Sequence, residues 1–284
     1  MLGFMFVFSL IGMGLSSLLF GVDMTADPDY SNYRTLQSLK FQQALVSLGG
    51  FLAPVFVFVK LRKYDFGKLT LISQPMEPNR MMVVTILTVG AFPLIGALSE
   101  WNQSMVLPDS FSWLEELMLS SEQRAERLIK AFLEHNSSGD LMINLVVMAV
   151  LPALAEELLF RGTVQPILIR RFGNVHTGIW VTAALFSAIH FQFYGFVPRM
   201  ILGAVFGYLV VYGGSLRYSI WAHFINNGLA VYLMFLISRK SIPEETETIG
   251  AHDGQWWMVL ASLMLVVTGL YYFWSRRPSG VNNA

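Results

Sequence analysis

Two adjacent carboxylates and a guanidinium, in Glu156-Glu157-Leu158-Leu159-Phe160-Arg161, sit inside an otherwise apolar run. Ionisable groups at bilayer depth cost roughly 2.5–3.5 kcal/mol each even on the lenient insertion scale, so such a cluster marks function by default. The alternative is a helix-end salt bridge near the headgroups. Glu157 and Arg161 lie four residues apart on one helical face, in the favourable order for an ion pair. Glu156 projects about 100° away and is left over once that bridge forms. A carboxylate without a partner in a low dielectric favours its neutral form, a condition that suits a general base working near neutral pH.

Two further constellations have the same four-residue spacing. Phe186 precedes His190 by one turn, and His223 precedes Asn227 by one turn. A lone membrane histidine is as well suited to donating to a backbone carbonyl as to catalysis, and a His/Asn pair is equally an interhelical clamp. Depth favours the chemical reading. Glu156 lies 14 residues from Arg170 and His190 lies 15 from Val175, which puts both roughly 21–22 Å from the same end at about 1.5 Å per residue. Their meeting requires Pro152 and Pro166 to be absorbed as kinks, which membrane helices tolerate when neighbours satisfy the freed carbonyls. By the same arithmetic His223 and Asn227 stand roughly 15 and 21 Å in from Gly213. Both carry donors suited to a developing oxyanion. Asn226 faces about 100° away from Asn227 and is given no part. His135, His176 and His252 have no partner at helical spacing and receive no role.

The elements that must position these groups are membrane helices. At 284 residues, 54% hydrophobic and 13% charged, the chain is too apolar for a soluble domain. We expect an all-α polytopic protein with a bundled or conical core. Apolar runs long enough for a hydrocarbon layer of roughly 30 Å fall at about 2–21, 41–59, 81–99, 141–169, 175–194, 197–213, 217–237 and 256–274. Three regions follow within one structural domain: helices and an outer amphipathic segment over 1–140, a catalytic core over 141–240, and a last span and tail over 241–284. Met1 to Gly21 carries no basic leader and reads as a retained span, with a removable signal as the alternative.

Basic residues crowd the loops at Lys60–Arg80, Arg170–Arg171, Arg217 and Arg276–Arg277, whereas Asp23, Asp27, Asp29, Glu244, Glu245, Glu247 and Asp253 collect on the other side. The first side is expected to be cytoplasmic, with both termini there. Ser112 to Glu134 alternates apolar and charged residues at helical spacing and predicts an amphipathic helix lying on the membrane as a cover, with contact to a substrate as the alternative. Gly203 and Gly207 form a GxxxG pair for close helix approach. There is no cysteine, which excludes disulfides and thiolate metal sites. No basic block suggests nucleic acid. The partners expected are the lipid bilayer and a membrane-associated protein or peptide.

Glu-Glu-x-x-x-Arg at 156–161, Phe-x-x-x-His at 186–190 and His-x-x-x-Asn at 223–227, in this order on successive spans, resemble the CPBP family of type II CAAX prenyl proteases and Abi, or bacteriocin-processing, proteins. The likeness covers roughly Leu141 to Ile237. It implies an intramembrane endopeptidase of a prokaryotic inner membrane in which Glu156 and His190 activate a water and His223 and Asn227 hold the oxyanion. Glu157, Arg161 and Phe186 would be structural. A metal-independent glutamic mechanism without a cofactor is the reading preferred here. A zinc enzyme would draw on Glu156, His190 and His223. A catalytically silent immunity or scaffold protein and a proton-coupled transporter remain the alternatives.

Overall fold

The computed structural model describes residues 1–24, 27–134, 137–252 and 254–278. His135 and Asp253 lie outside them, as does the side chain of Glu247. The described residues form helices and no strand: α1 Leu2–Phe20, α2 Tyr33–Arg62, α3 Pro78–Gln103, α4 Ser112–Glu134, α5 Ser138–Phe172, α6 Val175–Ala188, α7 Phe196–Gly213, α8 Leu216–Ser238 and α9 Trp256–Ser275. Seven of these are long and apolar enough to cross a membrane, and α6 is a shorter apolar helix.

Two spans differ from expectation. α2 begins at Tyr33 because the Asn32 side chain accepts from the Arg34 amide and caps it there. α6 stops at Ala188, short of residue 194, because Phe191 turns into the left-handed region at φ 52°. Its 14 residues rise about 21 Å, less than a full crossing. His190 therefore sits on the turn after α6. Irregular backbone at this depth is tolerated only where protein covers it or where it lines a cavity. The amphipathic α4 supplies cover, with the Tyr194 hydroxyl donating to Glu115 Oε1 at 3.2 Å.

The expected proline kinks take a specific form. A wide π-helical turn precedes each of three prolines: Ser47–Leu52 before Pro54, Val146–Val150 before Pro152, and Phe160–Val164 before Pro166. Proline removes one amide donor and crowds the carbonyl four residues earlier. Widening the turn takes up that crowding, so α2 and α5 continue through their prolines.

Close packing on α7 sets the site's depth. At Gly203 an added Cβ would stand 2.9 Å from Arg161 Nη2, and at Gly207 it would stand 2.6 Å from Gln165 Oε1. The exposed backbone is used as well. Arg161 Nη2 donates to Gly203 O at 3.0 Å and Gln165 Nε2 to Gly207 O at 3.2 Å. One apolar core joins Val84 and Leu87 of α3, Phe206 and Leu209 of α7, Tyr218 and Ala222 of α8, and Phe273 of α9. A second joins Phe51 and Val55 of α2 with Leu159 and Phe160 of α5 and Phe186 of α6. At the basic end, Arg217 Nε donates to Ile72 O at 2.8 Å and Arg80 Nη2 to Arg276 O at 2.9 Å, tying the charged loops to the helix ends.

Candidate active site

The site is built from Arg161 outward. Its guanidinium is 2% exposed, donates from Nη1 to Glu157 Oε1 at 2.7 Å and lies 4.3 Å from the centre of the Phe186 ring. A cation over an aromatic face gains electrostatic attraction where water is excluded. Glu157 Oε1 also accepts from His223 Nδ1 at 2.9 Å. Because an ion-paired carboxylate only accepts, Nδ1 carries the hydrogen and Nε2 points elsewhere. It faces Glu156 Oε2 at 3.9 Å, too long for a direct hydrogen bond. That spacing leaves the two atoms close enough to share a bound water. The His223 ring is fixed by stacking on Phe206, with centroids 5.5 Å apart and planes at 28°.

His190 joins through Phe186, whose ring meets His190 edge-on at 5.2 Å and His223 edge-on at 6.1 Å. Its Nδ1 contacts Phe186 O at 2.8 Å. A carbonyl can only accept, so Nδ1 carries the hydrogen and a neutral ring keeps its Nε2 lone pair. The backbone bond expected of a structural histidine is thus present, within one segment rather than between helices, and it leaves one nitrogen available for chemistry. Among the described residues no direct hydrogen bond joins His190 to Glu156.

Asn227 is turned to the backbone. Its Nδ2 donates to Met148 O at 3.2 Å, and Asn226, set aside at the sequence level, donates to Asn227 Oδ1 at 3.1 Å. Met148 is four residues before Pro152, so Asn227 satisfies the carbonyl that this proline leaves without an amide. Its carboxamide and the His223 imidazole do not hydrogen-bond to each other.

Sequence reasoning passed over Arg199. It lies inside the sixth apolar run, donates from Nη2 to Gln192 Oε1 at 2.7 Å, and stands within electrostatic reach of Glu156, His190 and Glu122. The rule that singled out Arg161, a cation within an apolar span, was sufficient to find it. Burial pushes the Glu122 carboxyl on α4 above the usual range, with Arg199 opposing the shift.

Among the described residues no three His, Asp or Glu side chains converge as a metal-binding group. Were a zinc ion bound, Glu156, His190 and His223 would be its ligands; His223 Nε2 and Glu156 Oε2 stand 3.9 Å apart.

Residues 138–229 match the family model of Rce1-like type II CAAX prenyl endopeptidases. That segment spans α5 to most of α8 and holds every residue of the three motifs. The chain is also 29% identical over 86 residues to the uncharacterized protein YpbD of Bacillus subtilis (strain 168), an alignment covering 29% of this chain and 41% of that protein. No solved structure matches. Residues 138–229 are thus similar to an Rce1-like domain, and seven helices of the described residues are long and apolar enough to cross a membrane.

Proposed function

We propose that the protein is an intramembrane endopeptidase in which Glu156 is the general base. One observation carries this reading: the chain Arg161, Glu157, His223 orients an imidazole so that its second nitrogen faces Glu156 in a nearly dry site. A water near Glu156 Oε2 gives a proton to that carboxylate as its oxygen bonds to the substrate carbonyl carbon. His190 Nε2 accepts the water's other hydrogen and holds it in line. With a proton on Nε2, His223 donates to the oxyanion, and two cations against two carboxylates leave the cluster uncharged overall. Collapse breaks the C–N bond, and the proton on Glu156 passes to the leaving amine.

The oxyanion role falls chiefly on His223. Asn227, bonded to Met148 O, acts as a positioning residue that holds α8 against α5, and it would reach an oxyanion only by releasing that carbonyl. The substrate class is a membrane-associated or lipid-modified protein cut near its C-terminus, or a processed peptide. The basic face is cytoplasmic, with both termini on that side.

The test is cleavage of a membrane-embedded reporter peptide library by purified wild type and Glu156→Gln protein, each with and without a zinc chelator. Cleavage that survives chelation and falls at least 10²-fold in the variant, the usual size of a general-base contribution, supports the proposal. Loss on chelation with recovery on adding zinc would make His190 and His223 ligands. Equal cleavage by both proteins would remove Glu156 from the chemistry.

A further inference from the structure

A cavity of about 520 Å³ lies between α4 and the turn that carries His190. It falls within the roughly 300–1,000 Å³ range of small-ligand clefts. Leu117 and Met118 of α4 form one wall, and Phe191 and Phe193 form the other. Ser187 and Ala188 also line it, so the cavity borders the last turn of α6, two residues before His190. Its lining residues Phe191 and Gln192 directly follow His190 in the chain.

Phe191 itself departs from local preference. It is the one aromatic among the described residues with positive φ, at 52°. The left-handed region costs an L-residue about 1–2 kcal/mol, and α5 and α7 end on glycine at the equivalent turn, Gly173 and Gly214. Phe191 is also 67% exposed, so core burial does not offset the strain. Strain retained beside a reactive group indicates that the side chain's position has a use.

We infer that this cavity is the subsite that selects an apolar side chain of the substrate next to the scissile bond, with Phe191 and Leu117 setting its size. The inference rests on the peptidase reading. A peptide fits better than an acyl chain because Ser121, Arg124 and Gln192 also line the cavity, offering partners that buried peptide amides require and a hydrocarbon does not use. Arg199 holds Gln192 by its oxygen, which leaves the Gln192 amide hydrogens free to donate. α4 lies outside the matched segment 138–229, so selectivity is supplied by a helix added to the catalytic domain.

Two measurements test this. In the first, Glu156→Gln protein in phospholipid nanodiscs is photocrosslinked to reporter peptides carrying benzoylphenylalanine at successive positions. Crosslinks from residues flanking the scissile bond into 112–134 or 191–196, competed by unlabelled peptide, are expected. Crosslinks confined to other helices, or competed by added lipid and not by peptide, would overturn the inference. In the second, Phe191→Gly, which relieves the strained turn, and Leu117→Ala are compared with wild type on reporters with Phe, Leu or Ala at the mapped position. KM for the Phe and Leu reporters should rise on the order of tenfold relative to the Ala reporter, the scale of a few lost apolar contacts. An equal change for all three reporters would place both residues in general stability and sink the subsite. Wild type that crosslinks in the cavity yet cleaves nothing would refute the peptidase while leaving a peptide-binding cavity in place.

Discussion

Among the described residues two ion pairs of a lysine or arginine with a carboxylate are buried, and they are built differently. Arg161 and Glu157 are fully buried at 2.7 Å, and their remaining bonds reach Gly203 O, the Phe186 face and His223. Lys40 and Asp140 are 3.9 Å apart at the opposite end of the helices, and Lys40 Nζ makes no hydrogen bond. Lys40 lies 5.3 Å from the centre of the Phe132 ring, while Asp140 accepts from Tyr33 and from Ser137, the cap of α5. Each pair leaves buried atoms without a hydrogen bond, Arg161 Nε and Glu157 Oε2 in the first and Lys40 Nζ in the second, but only the first has a cation that bonds a neighbouring backbone and a carboxylate that holds an imidazole. The first pair therefore fixes the His223 ring and the second ties α2 to α5 beneath the end of α4.

The sharpest way to break this contrast is Arg161→Ala. Stranding Glu157 should cost about 3–5 kcal/mol in denaturant unfolding of the detergent-solubilised protein. A loss under about 1 kcal/mol would show that the pair is not integral to the fold. Gly203→Ala probes the same pair from α7, since the added methyl meets Arg161 Nη2 at 2.9 Å and Phe186 at 3.2 Å. It should cost about 1–3 kcal/mol and lower kcat more than it raises KM, because the displaced guanidinium reorients Glu157 and His223. An unaltered rate would separate the bridge from the chemistry.

Asn227→Ala should cost about 1–2 kcal/mol by leaving Met148 O without a donor. Adding Pro152→Ala restores an amide to that carbonyl, so the double variant should recover most of the loss; additive losses would contradict the proposed pairing of Asn227 with the kink. The smallest effect belongs to the second pair. Lys40→Met combined with Asp140→Asn should change stability by no more than about 1 kcal/mol and leave cleavage intact, as replacing both members of a poorly bonded buried pair is often neutral. A collapse on that change would make the two pairs equivalent.

Much of the fold is legible along the chain because crossing a bilayer is a question of local length and composition. The Glu157 to Arg161 bridge is legible for a similar reason: four residues is one helical turn, whichever helices lie nearby. The end of α6 is not, because Phe191 adopts a conformation that its own preferences oppose and that only the cover of α4 and the following turn sustain. Arg199 was legible as a cation in an apolar run, yet nothing local names Gln192, Glu156 and Glu122 as its surroundings. The role of Asn227 combines both levels. Pro152 announces a carbonyl without a donor, and only the approach of α8 shows which side chain answers it.

The sequence by itself determined that this is an all-helical membrane protein with charges buried in its middle, and which residues share each helical face, because hydropathy and the turn of a helix are properties of contiguous residues. The tertiary structure alone decided that Glu157 orients His223, that His223 rather than His190 stands across from Glu156, and that a helix outside the matched domain roofs the turn holding His190. Those relations depend on how α4 to α8 approach and rotate against one another. Close contacts at Gly203 and Gly207 and the widened turns before Pro152 and Pro166 set that approach over distances no local spacing encodes.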